Sequence, residues 1–408
     1  MRLKILFLIS GWCMMLSSET VFAEDVMLWK QWLSDQVDQH PTMISALESL
    51  NAARSQIDGA SQPLYNPKLE SELEREGDSD NFRFGIKQKI DWRDKRGART
   101  QQFKLSGKRA EWTYQSLRQK QLAETLISLV EWRIAYQKAE ISRVQESHLT
   151  QLVDIIQQRH QAGDLSQIET ELAYMALSQR LKSTADAESK LIIVRAQLVS
   201  LLPTWNQDSK YSVIPDSFWH WSNTTSIEKL SRKHPDVAGA EIHWQALNAE
   251  TELTRLEQHS DPSFGINVGR QEDESSVGLT FSIPLNVRND FSANTRTVAH
   301  RALSAESSFR ALYLQRLNLI KASQKVALEY DKRYQRWKSL TNSRPSDSSN
   351  LLKKQWRIGD ISTTDYIQIL NQRSEGLLAG IELEKEWRLS YIEFIKNAGI
   401  ISDAITSL

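Results

Sequence analysis

The residue types that carry out chemistry in proteins are all present, but their spacing matches no catalytic or metal-binding motif. The eight histidines include no pair at i, i+4, the spacing that places two imidazoles on one helix face. The chain has no His-Glu-x-x-His, no Gly-x-Ser-x-Gly and no glycine-rich phosphate loop. Its only cysteine is Cys13. We therefore predict no enzyme activity, no resident metal and no cofactor.

The most regular polar motif is a short turn that occurs twice. Residues 162–166, Ala-Gly-Asp-Leu-Ser, recur at 358–362 as Ile-Gly-Asp-Ile-Ser. Glycine followed by serine is typical of one helix that ends and another that begins, because glycine accepts left-handed φ and a hydroxyl caps free N–H groups. We name these segments the first and second glycine turns. Glu169 and Asp365 follow them in equivalent positions, in the first turn of the next helix.

The rest of the chain is duplicated at nearly the same offset as the turns. His40-Pro41 recurs 194 positions later as His234-Pro235, and Phe84-Gly85-Ile86 recurs 193 positions later as Val277-Gly278-Leu279. Solenoid repeats are shorter, with periods up to about 50 residues. Two equivalent halves are therefore predicted, each with a helix, a β-hairpin and a long helical hairpin. The predicted segments are 24–203 with its β-hairpin at 69–92, a connector at 204–233, and 234–408 with its β-hairpin at 263–285.

The first 23 residues predict an export signal. An apolar run from Leu6 to Leu16 precedes Val21-Phe22-Ala23, which resembles a cleavage site. The run is shorter than the ~20 residues that a spanning helix needs. Bulky Trp12 before Cys13 disfavours a lipid-attachment site at that cysteine. The chain has 51 basic and 51 acidic residues, a balance that does not favour nucleic acid as a partner.

Each predicted hairpin alternates polar and apolar residues with period two. A row of glutamates beside a row of basic residues favours cross-strand pairing in the first hairpin. The predicted polar face consists of Glu70, Glu72, Glu74, Arg83, Lys87 and Lys89. The predicted apolar face consists of Phe82, Phe84, Ile86 and Trp92 in the first half and Phe264, Ile266, Leu279 and Phe281 in the second.

The predicted strands are long enough to cross a bilayer, which takes about 9–11 tilted residues. The alternative is a pair of hairpins packed on a soluble core. Four strands cannot close a transmembrane barrel, because the smallest barrels have about eight. Open strand edges are not tolerated in lipid. A membrane location therefore requires several chains that contribute strands to one barrel.

Very long helices follow each hairpin. No proline occurs between Gly97 and Gly163, and a second helix is predicted from about Ser166 to Leu202. The second half repeats this plan at 292–341 and 350–398, with a predicted break at residues 344–347, Arg-Pro-Ser-Asp. Helices of this length are stabilised by packing on one another, as in coiled coils.

This order of elements resembles the TolC family of outer-membrane efflux channels over essentially the whole mature chain, in particular its shorter members, which often serve heavy-metal pumps. The resemblance rests on the duplication, on the hairpins after Asn66-Pro67 and Asp261-Pro262, and on both glycine turns. It implies a mostly α fold with a small transmembrane β part. Three chains, with four strands each, would form a twelve-stranded β-barrel that continues as a periplasmic coiled-coil tunnel. The polar strand face would line the barrel lumen and the apolar face would contact lipid.

The resemblance also implies a function and partners. It implies an exit channel of a tripartite efflux or type I secretion-like system, in the outer membrane of a Gram-negative bacterium, with most of the chain in the periplasm. The implied partners are two further copies of the chain, a periplasmic adaptor, an inner-membrane pump of the RND type and outer-membrane lipid. Two alternatives stay open, a periplasmic coiled-coil adaptor and a structural fibre without a pore. Adaptors typically have one helical hairpin, and a fibre does not need strands of membrane-spanning length.

Both glycine turns receive roles from the resemblance. The adaptor would dock at Gly163, Ser166, Gly359 and Ser362, and the periplasmic gate or pore ring would consist of Asp365, Glu169, Trp356 and Arg357. Three copies of a carboxylate around one axis would attract cations. The alternative is that each carboxylate only stabilises its own helix. The chain departs from the family at Gln368 and Ile361, where a second aspartate and an arginine stand in its best-known member.

Overall fold

The computed structural model describes residues 15–76, 79–209, 211–220, 225–271, 274–342 and 348–406. The first 14 residues of the predicted export signal and the predicted break at 344–347 lie outside these ranges. The elements are α1 (Met15–Asp38), α2 (Pro41–Ser61), β1 (Lys68–Glu76), β2 (Ser79–Lys89), α3 (Lys95–Gln161), α4 (Gln167–Leu201), α5 (Ile227–Lys233), α6 (Pro235–Glu257), β3 (Ser263–Gln271), β4 (Glu274–Ser282), α7 (Ser292–Asn342), α8 (Ser348–Ile358), α9 (Thr363–Asn397) and α10 (Ile401–Thr406), with a short 3₁₀ helix at Asp216–His220.

The predicted fold class, mostly helical with a small β part, is confirmed. The two halves, α2-β1-β2-α3-α4 and α6-β3-β4-α7-α8-α9, share an order of elements in which α7 and α8 together correspond to α3. In the described part of the chain, no helix carries an apolar stretch long enough to cross a membrane.

The chain divides into two compact units. The helical unit comprises the described residues up to 43, 118–230 and 318 onward, and the sheet unit comprises 44–117 and 231–317. Helices α3 and α7 contribute residues to both units. Both glycine turns belong to the helical unit, and all four strands belong to the sheet unit.

The four strands form one antiparallel sheet in the order β1-β2-β3-β4. The register aligns one apolar row across all strands, with Leu69 beside Ile86, Ile86 beside Ile266, and Ile266 beside Leu279. Side chains alternate across a strand, so the neighbouring positions form a polar face on the opposite side. Within the strands, the alternation in the sequence therefore predicted which residues share a face.

Strand β2 ends earlier than the sequence pattern predicts. The alternation continues to Trp92, but the strand stops at Lys89. The Asp91 carboxylate accepts the backbone N–H groups of Lys95 at 2.9 Å and Arg96 at 2.8 Å, so it caps the start of α3 instead of extending the strand. Trp92 therefore lies beyond the strand, outside its apolar row.

The helical unit has an apolar core along the second part of α3. Leu126 and Ile156 are fully buried there, and α10 adds Ile401 from the carboxyl-terminal end. An aromatic cluster links the connector to α9, since Phe218 and Trp219 both pack against Tyr391. These contacts supply the tertiary packing that long helices require.

Candidate functional site

The two glycine turns have the same backbone hydrogen bonds. In the first turn, the N–H of Gly163 donates to the His160 carbonyl at 3.0 Å and the N–H of Asp164 donates to the Arg159 carbonyl at 2.9 Å. In the second turn, Gly359 donates to Trp356 at 3.2 Å and Asp360 donates to Gln355 at 3.0 Å. This pair of bonds is the Schellman motif, which ends a helix by satisfying its last carbonyl groups.

Glycine is required at both turns by backbone conformation. Gly163 has φ of 86° and Gly359 has φ of 85°, in the left-handed region that side chains with a Cβ disfavour. Apart from the adjoining residues of the chain, no atom of the described residues lies within 4 Å of the position where a Cβ would be at either glycine. The constraint is therefore conformational rather than steric.

A serine caps the next helix after each turn. The Ser166 hydroxyl accepts the Glu169 N–H at 3.3 Å, and the Glu169 carboxylate accepts the Ser166 N–H at 3.0 Å. These reciprocal bonds form a capping box at the start of α4. Ser362 accepts the Asp365 N–H at 3.0 Å and its hydroxyl donates to the Asp365 carboxylate at 2.8 Å. The Asp365 side chain is exposed, whereas Glu169 is half-buried.

The second glycine turn lies on a hydrophobic core that contains Trp356. This tryptophan is only 2% exposed and its ring stacks on Tyr366, with centroids 5.1 Å apart and planes 9° apart. Its indole N–H donates to the Thr363 hydroxyl at 3.2 Å. The buried members of the core are Leu149, Leu152, Val153, Ile156, Ala173, Trp356, Tyr366 and Ile367. Burial raises the pKa of the Tyr366 phenol, against the opposing charge of Arg357.

Arg159 connects the end of α3 to the second glycine turn. Its guanidinium carbon lies 5.1 Å from the centroid of the Trp356 ring, within the range of a cation–π contact. The same guanidinium donates a hydrogen bond to the Arg357 carbonyl at 3.1 Å. The structure therefore places Trp356 in the interior, while the Arg357 side chain and Asp365 are at the surface.

A partly buried polar layer joins α3, α4 and α9 farther along the helical unit. Arg180 donates to Gln145 at 2.8 Å and Ser374 donates to the same oxygen at 2.6 Å. Burial lowers the pKa of the Arg180 guanidinium, although Glu375 opposes that shift. Sequence reasoning missed this layer and Arg159, because contacts between distant helices leave no local pattern in the sequence.

The polar face of the sheet contains the predicted pairing of glutamates with basic residues. Arg83 lies 3.0 Å from Glu72 and Lys87 lies 3.6 Å from Glu70. These pairs are solvent-exposed, so each adds little stability, about 0–1 kcal/mol. The other two predicted members are exposed Glu74 and half-buried Lys89, whose ammonium lies 4.4 Å above the Tyr65 ring, away from the glutamate row.

The opposite face of the sheet is apolar and exposed. Leu279 is 85% exposed, and Ile266 and Phe281 are each 61% exposed. Two aromatic pairs, Phe82–Phe84 and Phe264–Phe281, lie on this face. A monomeric soluble protein rarely exposes so large a contiguous apolar surface.

No family model matches the chain, and no curated protein matches it. Solved structures match it closely in fold. CusC, described in terms of transmembrane channel formation, is 11% identical, with a TM-score of 0.73 and 91% of each chain covered. The outer-membrane channel OprN is 15% identical, with a TM-score of 0.73, covering 93% of this chain and 92% of its own. The Campylobacter jejuni outer-membrane channel CmeC is 13% identical, with a TM-score of 0.71. The match covers 91% of this chain and 85% of CmeC.

These identities are low, so the likeness concerns the fold. It spans both halves of the chain, the four-stranded sheet and both helical hairpins. The chain therefore has the fold of these outer-membrane channels.

Proposed function

We propose that this protein is the outer-membrane exit channel of a tripartite efflux system. It would conduct substrate passively from a pump and adaptor to the exterior. The observation that carries the proposal is a four-stranded sheet with one exposed apolar face and one charged face, within a fold shared with outer-membrane channels.

The sheet supports a trimer in the membrane. Its apolar face suits lipid, but the outer edges of β1 and β4 have no partner strand within the described chain. Unpaired backbone groups cost several kcal/mol each in a bilayer, so these edges must pair with other copies. Three copies would give twelve strands, which are enough to close a barrel. Glu70, Glu72, Arg83 and Lys87 would then line the lumen.

The glycine turns are proposed as the periplasmic end of the channel. Gly163, Ser166, Gly359 and Ser362 would present the turns to an adaptor, which connects the channel to an inner-membrane pump of the RND type. Asp365 would contribute an exposed carboxylate to the pore ring, with Glu169 and Arg357 nearby on the same turns. Trp356 would support this ring from beneath, because its side chain is buried. Most of the chain would lie in the periplasm.

The test is the conductance of the purified protein together with its mass in the same detergent. A trimer with cation-selective openings is expected in planar bilayers. A monomer without conductance would overturn the proposal and favour the periplasmic adaptor. Asp365→Asn should reduce the cation selectivity, whereas Asp360→Asn, which removes a charge from the adjacent turn, should not.

The lipid-facing assignment can be tested on the sheet itself. Leu279→Arg places a charge on the apolar face and should lower trimer yield, since arginine at the bilayer midplane costs about 2–4 kcal/mol. Ser276→Arg, on the polar face of the same strand, is the matched control and should assemble normally. Equal assembly of both variants would contradict the assignment.

A further inference from the structure

The end of the sheet where α3 and α7 begin carries an exposed surface that the proposed channel does not use. Two segments form it, residues 90–96 after β2 and residues 284–291 after β4. Large apolar side chains project from both, and Trp92 is 58% exposed, Leu285 76% and Val287 85%. We name this the junction surface.

The two segments are fixed to one another through a third. The Trp92 indole N–H donates to the Ser260 carbonyl at 3.1 Å, and the Ser260 hydroxyl donates to the Asn286 side chain at 3.1 Å. Asn286 in turn donates to the Gln258 carbonyl at 2.6 Å. The exposed apolar groups are therefore held in a defined arrangement.

Phe291 is held in an unusual conformation at the same surface. Its φ is 57°, which is uncommon for a bulky residue, and its side chain is exposed. The Asn289 side chain accepts the Phe291 N–H at 2.9 Å and stabilises this bend. A strained backbone that keeps an aromatic ring in solvent is typical of functional positions.

Three exposed arginines lie on the junction surface, beside three aspartates of the same two segments. Arg93, Arg96 and Arg288 are exposed, and none forms an ion pair within the described residues. Arg93 lies 6.0 Å from the Trp92 ring centroid. The acidic neighbours are engaged at the helix starts, since Asp91, Asp94 and Asp290 each accept backbone N–H groups there.

We propose that the junction surface binds the headgroups of anionic phospholipids in the leaflet on the helical side of the sheet. This rests on the proposed function, because the sheet must span a bilayer for its end to reach that leaflet. The surface continues the apolar face directly, since Phe264 and Phe281 form the last aromatic pair before the strands end. Tryptophan and phenylalanine would lie at the membrane interface, and the arginines would attract the negative headgroups.

The charge pattern favours this occupant over a neutral lipid. A guanidinium donates two parallel hydrogen bonds to a phosphate, so arginine suits lipid headgroups geometrically as well as electrostatically. A zwitterionic headgroup such as that of phosphatidylethanolamine has the same phosphate, but its ammonium group offsets that charge and repels the arginines. The junction surface should therefore select among lipids and not only anchor the sheet.

The test measures the lipids retained by the full-length channel. The protein is reconstituted in nanodiscs of phosphatidylethanolamine and phosphatidylglycerol, and bound lipids are counted by native mass spectrometry. The ratio of phosphatidylglycerol to phosphatidylethanolamine among the bound lipids should exceed the bulk ratio by about fivefold, the size expected when each bound headgroup meets one arginine charge. The combined variant Arg93→Gln, Arg96→Gln, Arg288→Gln should return this ratio to its bulk value.

Two further variants keep the test decisive. Arg54→Gln, Arg301→Gln and Arg310→Gln remove three exposed charges from α2 and α7, and this control should keep the enrichment. The triple lysine variant at positions 93, 96 and 288 conserves charge and should also keep most of it. Equal phosphatidylglycerol fractions in the wild type and the glutamine variant would overturn the proposal.

Conductance of the same preparations separates this proposal from the proposed function. Bilayers of phosphatidylethanolamine alone are used, so that headgroup selection does not affect insertion. Normal conductance without phosphatidylglycerol enrichment would overturn the lipid proposal but not the proposed channel. Enrichment without conductance would support a membrane-spanning sheet with this lipid site and would contradict the open pore.

Discussion

The two glycine turns have the same backbone but different packing. Both have Schellman hydrogen bonds, glycine φ near 85° and a serine cap. Position 160 is an exposed histidine in the first turn, and its equivalent 196 residues later is the buried Trp356. Duplication therefore preserved the residues that set the backbone, while the residues that fill the core diverged.

The same divergence occurs on the helices that follow the turns. Thr170 uses its hydroxyl within α4, where it donates to the Ser166 carbonyl at 3.2 Å. Its equivalent, Tyr366, instead stacks on Trp356. The first half contributes aliphatic side chains to this core, such as Val153 and Ile156. The aromatic centre of the core thus belongs to the second turn, and stability should be distributed unequally between the two.

The largest difference in stability is expected between alanine variants of Trp356 and of its equivalent, His160. Trp356→Ala removes a fully buried ring and should destabilise the core by about 3–5 kcal/mol. His160→Ala removes an exposed ring whose nitrogen contacts the Leu165 carbonyl at 2.9 Å, and should cost less than about 1 kcal/mol. Hydrogen exchange of the amides in α8 and α9 measures both. Similar losses in the two variants would refute the asymmetry.

The second-largest loss of stability, from replacing the turn glycines, should be equal at the two turns, because it depends on backbone conformation alone. Gly163→Ala and Gly359→Ala should each destabilise their turn by about 1–2 kcal/mol, since a Cβ is disfavoured at positive φ. Gly376 is a matched control inside α9, with helical backbone and open space around it. Gly376→Ala should stabilise the helix by about 0.5–1 kcal/mol. A sign reversal between turn and control in hydrogen-exchange protection is expected, and its absence would contradict the argument.

The sequence predicted the features that depend on neighbouring residues. Glycine and serine three positions apart predicted where one helix ends and the next begins, and period-two alternation predicted the two faces of the sheet. The end of β2 was missed because Asp91 serves the following helix, and alternation does not show which element a side chain stabilises.

Contacts across the fold could not be predicted in the same way. Lys95 forms a buried ion pair with Asp261 at 2.9 Å, although 166 positions separate them. The burial of Trp356 likewise depends on helices that meet only in three dimensions. The resemblance to a family places Trp356 at a gate position, but only the packing shows that its ring lies in the interior.

A smaller loss of stability is expected at the two helix caps, where the serines should be equivalent and the acidic residues should differ. Ser166→Ala and Ser362→Ala should each cost about 1 kcal/mol, because each removes a side-chain acceptor for a helical N–H group. The acidic partners should differ. Glu169→Ala removes the acceptor of the Ser166 backbone N–H, whereas Asp365→Ala removes an acceptor of the Ser362 hydroxyl only. The Glu169 variant should therefore show the larger increase in amide exchange at its helix start, and the Asp365 variant the larger change in ion selectivity. The reverse pattern would show that Glu169 is the pore residue.

The smallest effect should come from Arg159, which joins the two halves at this end of the helical unit. Arg159→Gln removes a cation–π contact with Trp356 and a solvent-exposed hydrogen bond to the Arg357 carbonyl, and water can replace much of both, so the loss should be below about 1 kcal/mol. Trp356→Leu keeps an apolar side chain but removes the aromatic ring, so a double-mutant cycle between these variants isolates the cation–π contact. Lys354→Gln is the control, because it removes an exposed positive charge from α8 outside the proposed pore ring. If the contact holds the second turn against α3, Arg159→Gln should increase channel opening while Lys354→Gln should leave it unchanged. Equal opening in the two variants would mean that the link stabilises the fold without controlling the pore.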